Sequence, residues 1–277
     1  MQNQPPQDNR IDRRLTRTAT GGALLPYLTG GYPDLDATVE WIKHLDTGGI
    51  AAVEIGFPYS DSIADGPVIQ DSFNRALLGG LKIDRLFDAV AAVRPEVETA
   101  LIAMVSFSIV RRIGVQTFMG RAGESGFDGL IVPDISYEES DEVSDAAAAQ
   151  GLHHVMLVAA TTPPQRAAKI ARRSTGFVYQ VAVRGITGER NKMPDDLRAR
   201  VRQLRAAANK PVCVGFGISN AAHVRQVCQV ADGVIVGSAI VRRITEAIDA
   251  GKPRATIVET IARFIDELAD GTRQPES

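Results

Sequence analysis

The stretch Ala51–Pro67, AAVEIGFPYSDSIADGP, combines a short apolar strand with an acidic loop. The apolar run occupies 51–55, and Glu54 is its only charged residue. Side-chain alternation along a strand places Ala52 and Glu54 on one face. A carboxylate on the inward face of a buried strand is costly unless it has a partner or a chemical role. Taken alone, this stretch favours a strand-end glutamate in solvent followed by an acidic turn, and it is the rest of the chain that favours a functional carboxylate.

Apolar runs of strand length recur along the whole chain, and each is followed by a segment with helical spacing. Short, almost wholly apolar strands separated by helices are typical of a parallel sheet that is covered on both faces. Eight such units in 277 residues, with no linker between them, predict an α/β fold: a single (β/α)₈ TIM barrel. A doubly wound open sheet is the alternative. The predicted strands are 23–29, 50–55, 99–107, 129–132, 154–159, 177–181, 211–214 and 233–236.

Composition excludes several classes of protein. The net charge of −2 does not favour a nucleic-acid or membrane surface. Two cysteines form no disulfide framework and indicate a reducing compartment. The N-terminus lacks the apolar core of a secretory signal. We therefore expect a cytoplasmic protein with one domain over residues 1–277, in which 1–10 and 271–277 are loose tails.

Glycine-rich segments follow three successive predicted strands: GITG at 185–188, GFGIS at 215–219, and Gly237–Ser238 before a helix. In a barrel of this type the C-terminal ends of the strands form the site, often with a phosphate bound after strands seven and eight. Glycine allows the backbone to approach a ligand, and a helix N-terminus favours an anion. The sequence therefore predicts a substrate that carries a phosphate.

The side chains available at this end of the barrel restrict the chemistry. The six lysines lie on helices, in loops or at the opposite end of a strand, which disfavours a Schiff base. The four histidines lie at the bottom face or on helices, which disfavours a metal site. Two carboxylates in different surroundings can divide the acid and base roles. The candidates for acid–base chemistry are Glu54, Asp61, Asp65, Asp134 and Tyr179, although Tyr179 fits a plain core position equally well.

Taken together, these motifs resemble the tryptophan synthase α subunit family. The resemblance rests on VEIGFPYSDSIADGP at 53–67, TGGYP at 29–33, GITG, GFGIS and VGSAIV at 236–241. It implies cleavage of indole-3-glycerol phosphate to indole and glyceraldehyde 3-phosphate, without a cofactor. It also implies that Glu54 takes the side-chain hydroxyl proton and protonates indole C3, while Asp65 holds the indole N–H. The positions that match the substrate pocket and the phosphate grip are Tyr27, Tyr179, Gly188, Gly217, Gly237 and Ser238.

The sequence departs from the family in three loops that would face the β subunit, the pyridoxal-phosphate enzyme that receives indole. Serine replaces the usual proline at Ser62 and Ser136, and Ser106–Ile109 replaces a tyrosine-asparagine-proline loop. The positions expected at this interface are Pro58, Asp61, Ser62, Ser108 and Ser136. We also expect 58–67 and 184–194 to act as mobile lids, because they are long, polar and rich in glycine.

These departures leave several functions open. The chain could cleave indole-3-glycerol phosphate with weak or absent dependence on a β subunit, or it could be an ordinary α subunit whose contact residues have drifted. A non-catalytic activator of a β subunit is disfavoured because both Glu54 and Asp65 are retained. A different aryl-glycerol phosphate substrate is a further alternative.

Overall fold

The computed structural model describes residues 9–17, 21–47, 49–62, 65–181, 195–215 and 217–273. Eight parallel strands pair in sequence order, and β8 returns to β1, so the sheet closes into a barrel. This closure confirms the predicted (β/α)₈ fold and shows that the open-sheet alternative is wrong. The strands are β1 Ala23–Thr29, β2 Ala52–Gly56, β3 Ala100–Met104, β4 Gly129–Ile131, β5 His153–Val158, β6 Val178–Val181, β7 Val212–Gly215 and β8 Gly233–Val236.

Twelve α-helices are present in the described ranges, together with a short 3₁₀ turn at Arg94–Glu96. None of them is long and apolar enough to cross a membrane. The helices are α1 Arg10–Arg17, α2 Leu35–His44, α3 Pro67–Leu78, α4 Ile83–Val93, α5 Phe107–Ile113, α6 Val115–Glu124, α7 Ser140–Ala149, α8 Pro164–Arg173, α9 Leu197–Ala208, α10 Ala221–Cys228, α11 Ser238–Asp249 and α12 Arg254–Asp270.

Strand alternation divides the apolar residues into two cores. On β2, Val53 and Ile55 belong to the large core between the sheet and the helices, whereas Ala52 belongs to the core inside the barrel. This division follows from the two-residue period of a strand. The inner core contains Ala23, Leu25, Ala52, Ala100, Ile102, Ile131, Val155, Phe177, Cys213 and Ile235.

Helix α1 closes the bottom of the barrel. Its Ile11 and Leu15 are buried within the inner core. Asn9, which was expected in the N-terminal tail, is 8% exposed, and its amide donates to the carbonyl oxygens of Asp128 and Gly151. Asn9 and Arg10, the two described residues of the segment expected to be a tail, therefore pack against the barrel. At the other end Thr272 is also buried, and its hydroxyl donates to the carbonyl of Ala269.

The segment after β3 differs from the prediction. The strand ends at Met104, and residues that were expected in a loop form the first turn of α5. Ser106 is the N-cap, because its hydroxyl accepts a hydrogen bond from the amide of Ser108. The amide of Phe107 donates to Asp134 Oδ1 at 2.8 Å. A side-chain oxygen at the N-cap satisfies amides that the helix cannot pair internally, and this explains why a helix starts here.

His154 is buried on the outer face of β5, where its Nδ1 lies 2.8 Å from Ser144 Oγ. Burial lowers the pKa of His154 to about 4, because desolvation penalises the charged imidazolium. In the unfolded chain the imidazole binds this proton near the ordinary pKa of 6.5, whereas the folded chain does not. The free energy of unfolding therefore decreases as the pH falls from about 6.5 to about 4, because proton uptake stabilises the unfolded chain.

We therefore expect His154→Gln to weaken the dependence of stability on pH over this range. The free energy of unfolding of the wild type should fall relative to that of the variant by up to about 1.4 kcal/mol per pH unit. Urea denaturation followed by circular dichroism at several pH values measures this difference. His223→Gln, at a partly exposed helical position, is the control, and equal slopes for all three proteins would contradict the assignment.

Candidate active site

Glu54 is fully buried near the C-terminal end of β2. It shares the inward parity of Ala52 and pairs in register with Tyr27 on β1 and Ile102 on β3. Neither carboxyl oxygen has a hydrogen-bond partner among the described residues. Desolvation raises the pKa of Glu54 to about 8, so the carboxyl holds a proton at neutral pH. The interpretation of Glu54 as a solvent-exposed strand end is therefore wrong.

Tyr27 crosses the mouth of the barrel above Glu54. A Cβ on Gly56 would lie 2.0 Å from the Tyr27 hydroxyl, and a Cβ on Gly237 would lie 3.3 Å from Tyr27 Cβ. Only glycine at position 56 leaves room for this phenol. Burial raises the pKa of the Tyr27 hydroxyl well above its ordinary value and the nearby Thr29 side chain lowers it, but no hydrogen bond of normal geometry reaches this hydroxyl within the described residues. It is therefore a donor available to a ligand in the mouth, where a buried unpaired hydroxyl is otherwise unfavourable.

Tyr179 occupies the corresponding place on the far side. Its hydroxyl would lie 2.5 Å from a Cβ on Gly215, the last residue of β7. Burial, and then the Glu54 carboxyl, raise the pKa of Tyr179 well above its ordinary value. The phenol consequently stays protonated and can donate a hydrogen bond. Tyr179 also packs against the inner core, so it both fills the barrel and faces Glu54.

Asp65 is placed by the loop that precedes α3. Its amide donates to the carbonyl of Ser62 at 3.0 Å, and the Gln70 side chain donates to the carbonyl oxygens of both residues. Gly66 is the N-cap of α3 and Pro67 its first residue, a sequence that favours helix initiation. Desolvation raises the pKa of Asp65 to about 6. Asp65 is therefore mostly ionised at neutral pH.

The two carboxyl groups lie around the same two phenols at the barrel mouth and differ in protonation. Asp65 and Glu54 both raise the pKa of Tyr27 and of Tyr179, which places both carboxyls around the same pair of phenols. A protonated carboxyl beside an ionised one can act as an acid while the other stabilises positive charge. Asp134, a further acid–base candidate, is exposed after β4, where its charge acts on Asp65, and Asp61 is exposed in the loop after β2.

The predicted phosphate grip is described in part. Gly237 and Ser238 join the end of β8 to the start of α11, and Gly217 follows β7 closely. The first amides of a helix have no partner inside it, and its dipole favours an anion there. Gly188, with the rest of the GITG loop, lies outside the described residues, as does the whole of the second predicted lid, 184–194. Residues 63–64 of the first lid lie outside them as well.

A groove of about 940 Å³ runs beside the site, between the loops after β2, β3 and β4 and the helix pair α3–α4. Of the positions expected at a partner interface, Pro58, Asp61 and Ser108 line it. Ser62 is only 4% exposed and supports the loop from within. Ser136 stabilises the turn that precedes α7, where its hydroxyl donates to Glu139 Oε2 at 2.7 Å and accepts from the Glu139 amide.

Sequence reasoning missed Tyr59. Its hydroxyl donates to Asp65 Oδ2 at 3.5 Å, and its ring packs against Phe73 at a centroid distance of 5.6 Å. The close approach of Tyr27 to Gly56 was missed as well. The available signal was the tyrosine within the acidic loop, because an aromatic residue with a polar tip can sit between a core and a carboxylate.

Comparison with known proteins confirms the resemblance inferred from the motifs. A family model described as "Tryptophan synthase alpha chain" matches residues 14–272. A tryptophan synthase alpha chain from Gloeobacter violaceus is 44% identical over 226 residues, which are 81% of this chain and 82% of that protein. A Mycobacterium tuberculosis tryptophan synthase structure superimposes with a TM-score of 0.86 at 32% identity, covering 97% of this chain and 100% of its own. A chain of the tryptophan synthase complex from Pyrococcus furiosus has a TM-score of 0.79 at 33% identity, with 90% and 98% covered.

We expect the buried Glu54 carboxyl to lower the free energy of unfolding progressively as the pH rises from about 4.5 to about 8. The unfolded chain releases the Glu54 proton near the ordinary pKa of 4.5, whereas the folded chain keeps it until about pH 8. The stabilising effect of the neutral, buried carboxyl is therefore complete below pH 4.5 and is lost as the pH rises through about 8. Glu54→Gln removes the ionisation, and its advantage over wild type in the free energy of unfolding should grow by up to about 1.4 kcal/mol per pH unit.

Denaturant titrations between these pH values measure the difference. Glu259→Gln, at an exposed position on α12, is the matched control. A constant difference between Glu54→Gln and wild type across the range would show that Glu54 ionises normally.

Proposed function

The chain belongs to the tryptophan synthase alpha chain family, and we propose that Glu54 and Asp65 perform the lyase reaction of that family in it. The reaction cleaves indole-3-glycerol phosphate to indole and glyceraldehyde 3-phosphate. The observation that carries the assignment of these residues is the pair of carboxyls in one barrel mouth, one buried without a partner and the other in a polar loop. Their surroundings raise the pKa of Glu54 to about 8 and that of Asp65 to about 6.

The first step of the proposed mechanism protonates the indole ring. Glu54, which carries a proton at neutral pH, donates it to C3 of the indole. The ring nitrogen then becomes positively charged, and the Asp65 carboxylate accepts a hydrogen bond from its N–H. This step needs Glu54 protonated and Asp65 ionised, a combination that is most populated between about pH 6 and pH 8.

The second step breaks the bond between indole C3 and the glycerol side chain. Glu54, now a carboxylate, takes the proton of the adjacent hydroxyl, and that oxygen forms the aldehyde carbonyl. The electron pair of the broken bond returns to the ring and neutralises the nitrogen. Glu54 ends the cycle protonated, as it began. Glu54 thus gives one proton to C3 of the ring and receives one from the hydroxyl group, so no proton is gained or lost in the cycle.

The remaining positions orient the substrate. The hydroxyls of Tyr27 and Tyr179 lie beside Glu54, where they can donate hydrogen bonds to the oxygen atoms of the substrate's glycerol side chain. Gly217, Gly237 and Ser238 are proposed to hold the phosphate, and the start of α11 supports this because helix N-termini favour anions. The barrel wall excludes water, which strengthens each of these interactions.

We further propose that cleavage depends only weakly on a β subunit. The altered loops are held by hydrogen bonds within the chain: Ser106 donates to Asp134 Oδ2 at 2.7 Å, and Ser136 is bonded to Glu139. Loops that are fixed internally need no partner to order them. An ordinary α subunit that requires its β subunit remains the competing function, and the groove of about 940 Å³ beside the site offers a surface for it.

The cellular setting is also a proposal. Two cysteines and the absence of a disulfide between them favour a reducing compartment, and we propose a cytoplasmic enzyme. We propose that the whole chain forms one domain, since the closed barrel and its helices occupy nearly all of the described residues.

The role of Glu54 is tested by Glu54→Gln, which we expect to lower kcat for indole release by about 10³-fold, because it removes the proton carrier. Asp65→Asn should lower kcat by about 10²-fold, because it removes the charge that stabilises the ring cation. Both variants should still bind the substrate in calorimetric titrations. Glu259→Gln is the control, and wild-type turnover by Glu54→Gln would remove Glu54 from the mechanism.

The dependence on a partner is tested by steady-state kinetics of the purified chain, alone and with a tryptophan synthase β subunit. We expect kcat to change by less than about fivefold, below the range typical of allosteric coupling. The double variant Ser106→Ala, Ser136→Ala should become more dependent on the partner, because it loosens both loops. Negligible activity of the wild type that rises steeply on addition of the β subunit would reject the proposal.

A further inference from the structure

Tyr59 links the acidic loop to the two loops beyond it. Its hydroxyl lies 3.5 Å from Asp65 Oδ2 on one side and interacts with Ser106 on the other. Its ring is fixed against Phe73 of α3. The position of the phenol is therefore set by packing as well as by polar contacts, which restricts the side chain to this place.

Asp134 forms the outer end of the same arrangement. Its Oδ2 accepts from the Ser106 hydroxyl at 2.7 Å, and its Oδ1 accepts from the Phe107 amide at 2.8 Å. Two hydrogen bonds keep this carboxylate at the start of α5, where it faces Asp65 and Tyr59. Tyr59 and Asp134 both line the groove beside the site.

We propose that Tyr59 is a positioning residue for the lyase reaction: its hydroxyl orients the Asp65 carboxylate towards the indole N–H, with Asp134 fixed behind it at the start of α5. The inference rests on the proposed role of Asp65. Tyr59 does not touch the substrate in this scheme. It acts through Asp65, since one carboxylate oxygen accepts from the phenol while the other remains free for the ring nitrogen.

The two neighbours act on the ionisation of Asp65 in opposite directions. The hydrogen bond from Tyr59 stabilises the carboxylate and lowers the pKa of Asp65, whereas the negative charge of Asp134 raises it. The other titratable groups around the same mouth in the described part of the chain are Glu54 from β2, Tyr27 from β1 and Tyr179 from β6, and Glu54 keeps its proton over the acidic limb. Both phenols are neutral at pH 7, because burial raises the pKa of each well above its ordinary value.

The test is the pH dependence of kcat/KM for indole release, because its acidic limb reports the ionisation of Asp65 in the free enzyme. Tyr59→Phe should move this limb to higher pH by about half a unit to one unit, since the carboxylate loses a donor. Asp134→Asn should move it to lower pH by less, because Asp134 is exposed and its charge is screened. Tyr137→Phe, the same change on a neighbouring loop, is the matched control and should leave the limb in place.

The outcomes separate this inference from the proposed function. If Asp65→Asn keeps the wild-type rate, the role of Asp65 itself fails. If Asp65→Asn is impaired while Tyr59→Phe leaves the acidic limb unmoved, or moves it in the same direction as Asp134→Asn, only the role of Tyr59 fails. Should Tyr59→Phe turn over too slowly for a profile, a carbon-13 titration of the Asp65 carboxyl in that variant must show the same upward shift, and its absence overturns the inference.

Discussion

An unpaired carboxyl inside a closed barrel is the constraint on which the rest of this structure depends. Burying Glu54 without a hydrogen-bond partner is unfavourable for its charged form, and the surroundings hold it protonated. The closed sheet supplies this environment, because strand closure leaves no edge through which water reaches the inner face of β2. Glycines at 56, 215 and 237 then leave the room that the two phenols need.

At the opposite end of the barrel the buried carboxylate, Asp128, is paired, whereas Glu54 at the mouth is not. Asp128 accepts from the Leu101 amide at 2.8 Å and pairs with Arg94 and Arg10, each at 3.2 Å. Helix α1 fills the space beneath the inner core with Ile11. Buried charges that are paired and hydrogen-bonded specify a unique arrangement. A well-packed bottom face stabilises the fold enough for the mouth to keep side chains that serve catalysis and do not add stability. The division matches the general separation of stability and activity between the two faces of such barrels.

Much of the fold was predictable because it repeats. Eight apolar runs with helices between them allow few arrangements, and Glu54 stood out as the one charge in its strand. Other features could not be predicted, because they depend on contacts between distant segments. Helix α5 starts where it does because Asp134, on the next loop, accepts from the Phe107 amide. The contact of Tyr59 with Asp65 forms only when the loop folds back on itself. Ser62 was expected at a surface but is buried. Gly188 lies outside the part of the chain that the structure describes.

The central claim is that Glu54 rests protonated at neutral pH and therefore begins the reaction as an acid. The most direct measurement is a pH titration of the Glu54 carboxyl carbon by carbon-13 NMR in the free protein, with the resonance assigned from Glu54→Gln. We expect a midpoint of about 8, well above the transition of the exposed glutamates. A midpoint near the ordinary value of 4.5 would mean that the carboxyl is solvated or paired, and would contradict the mechanism.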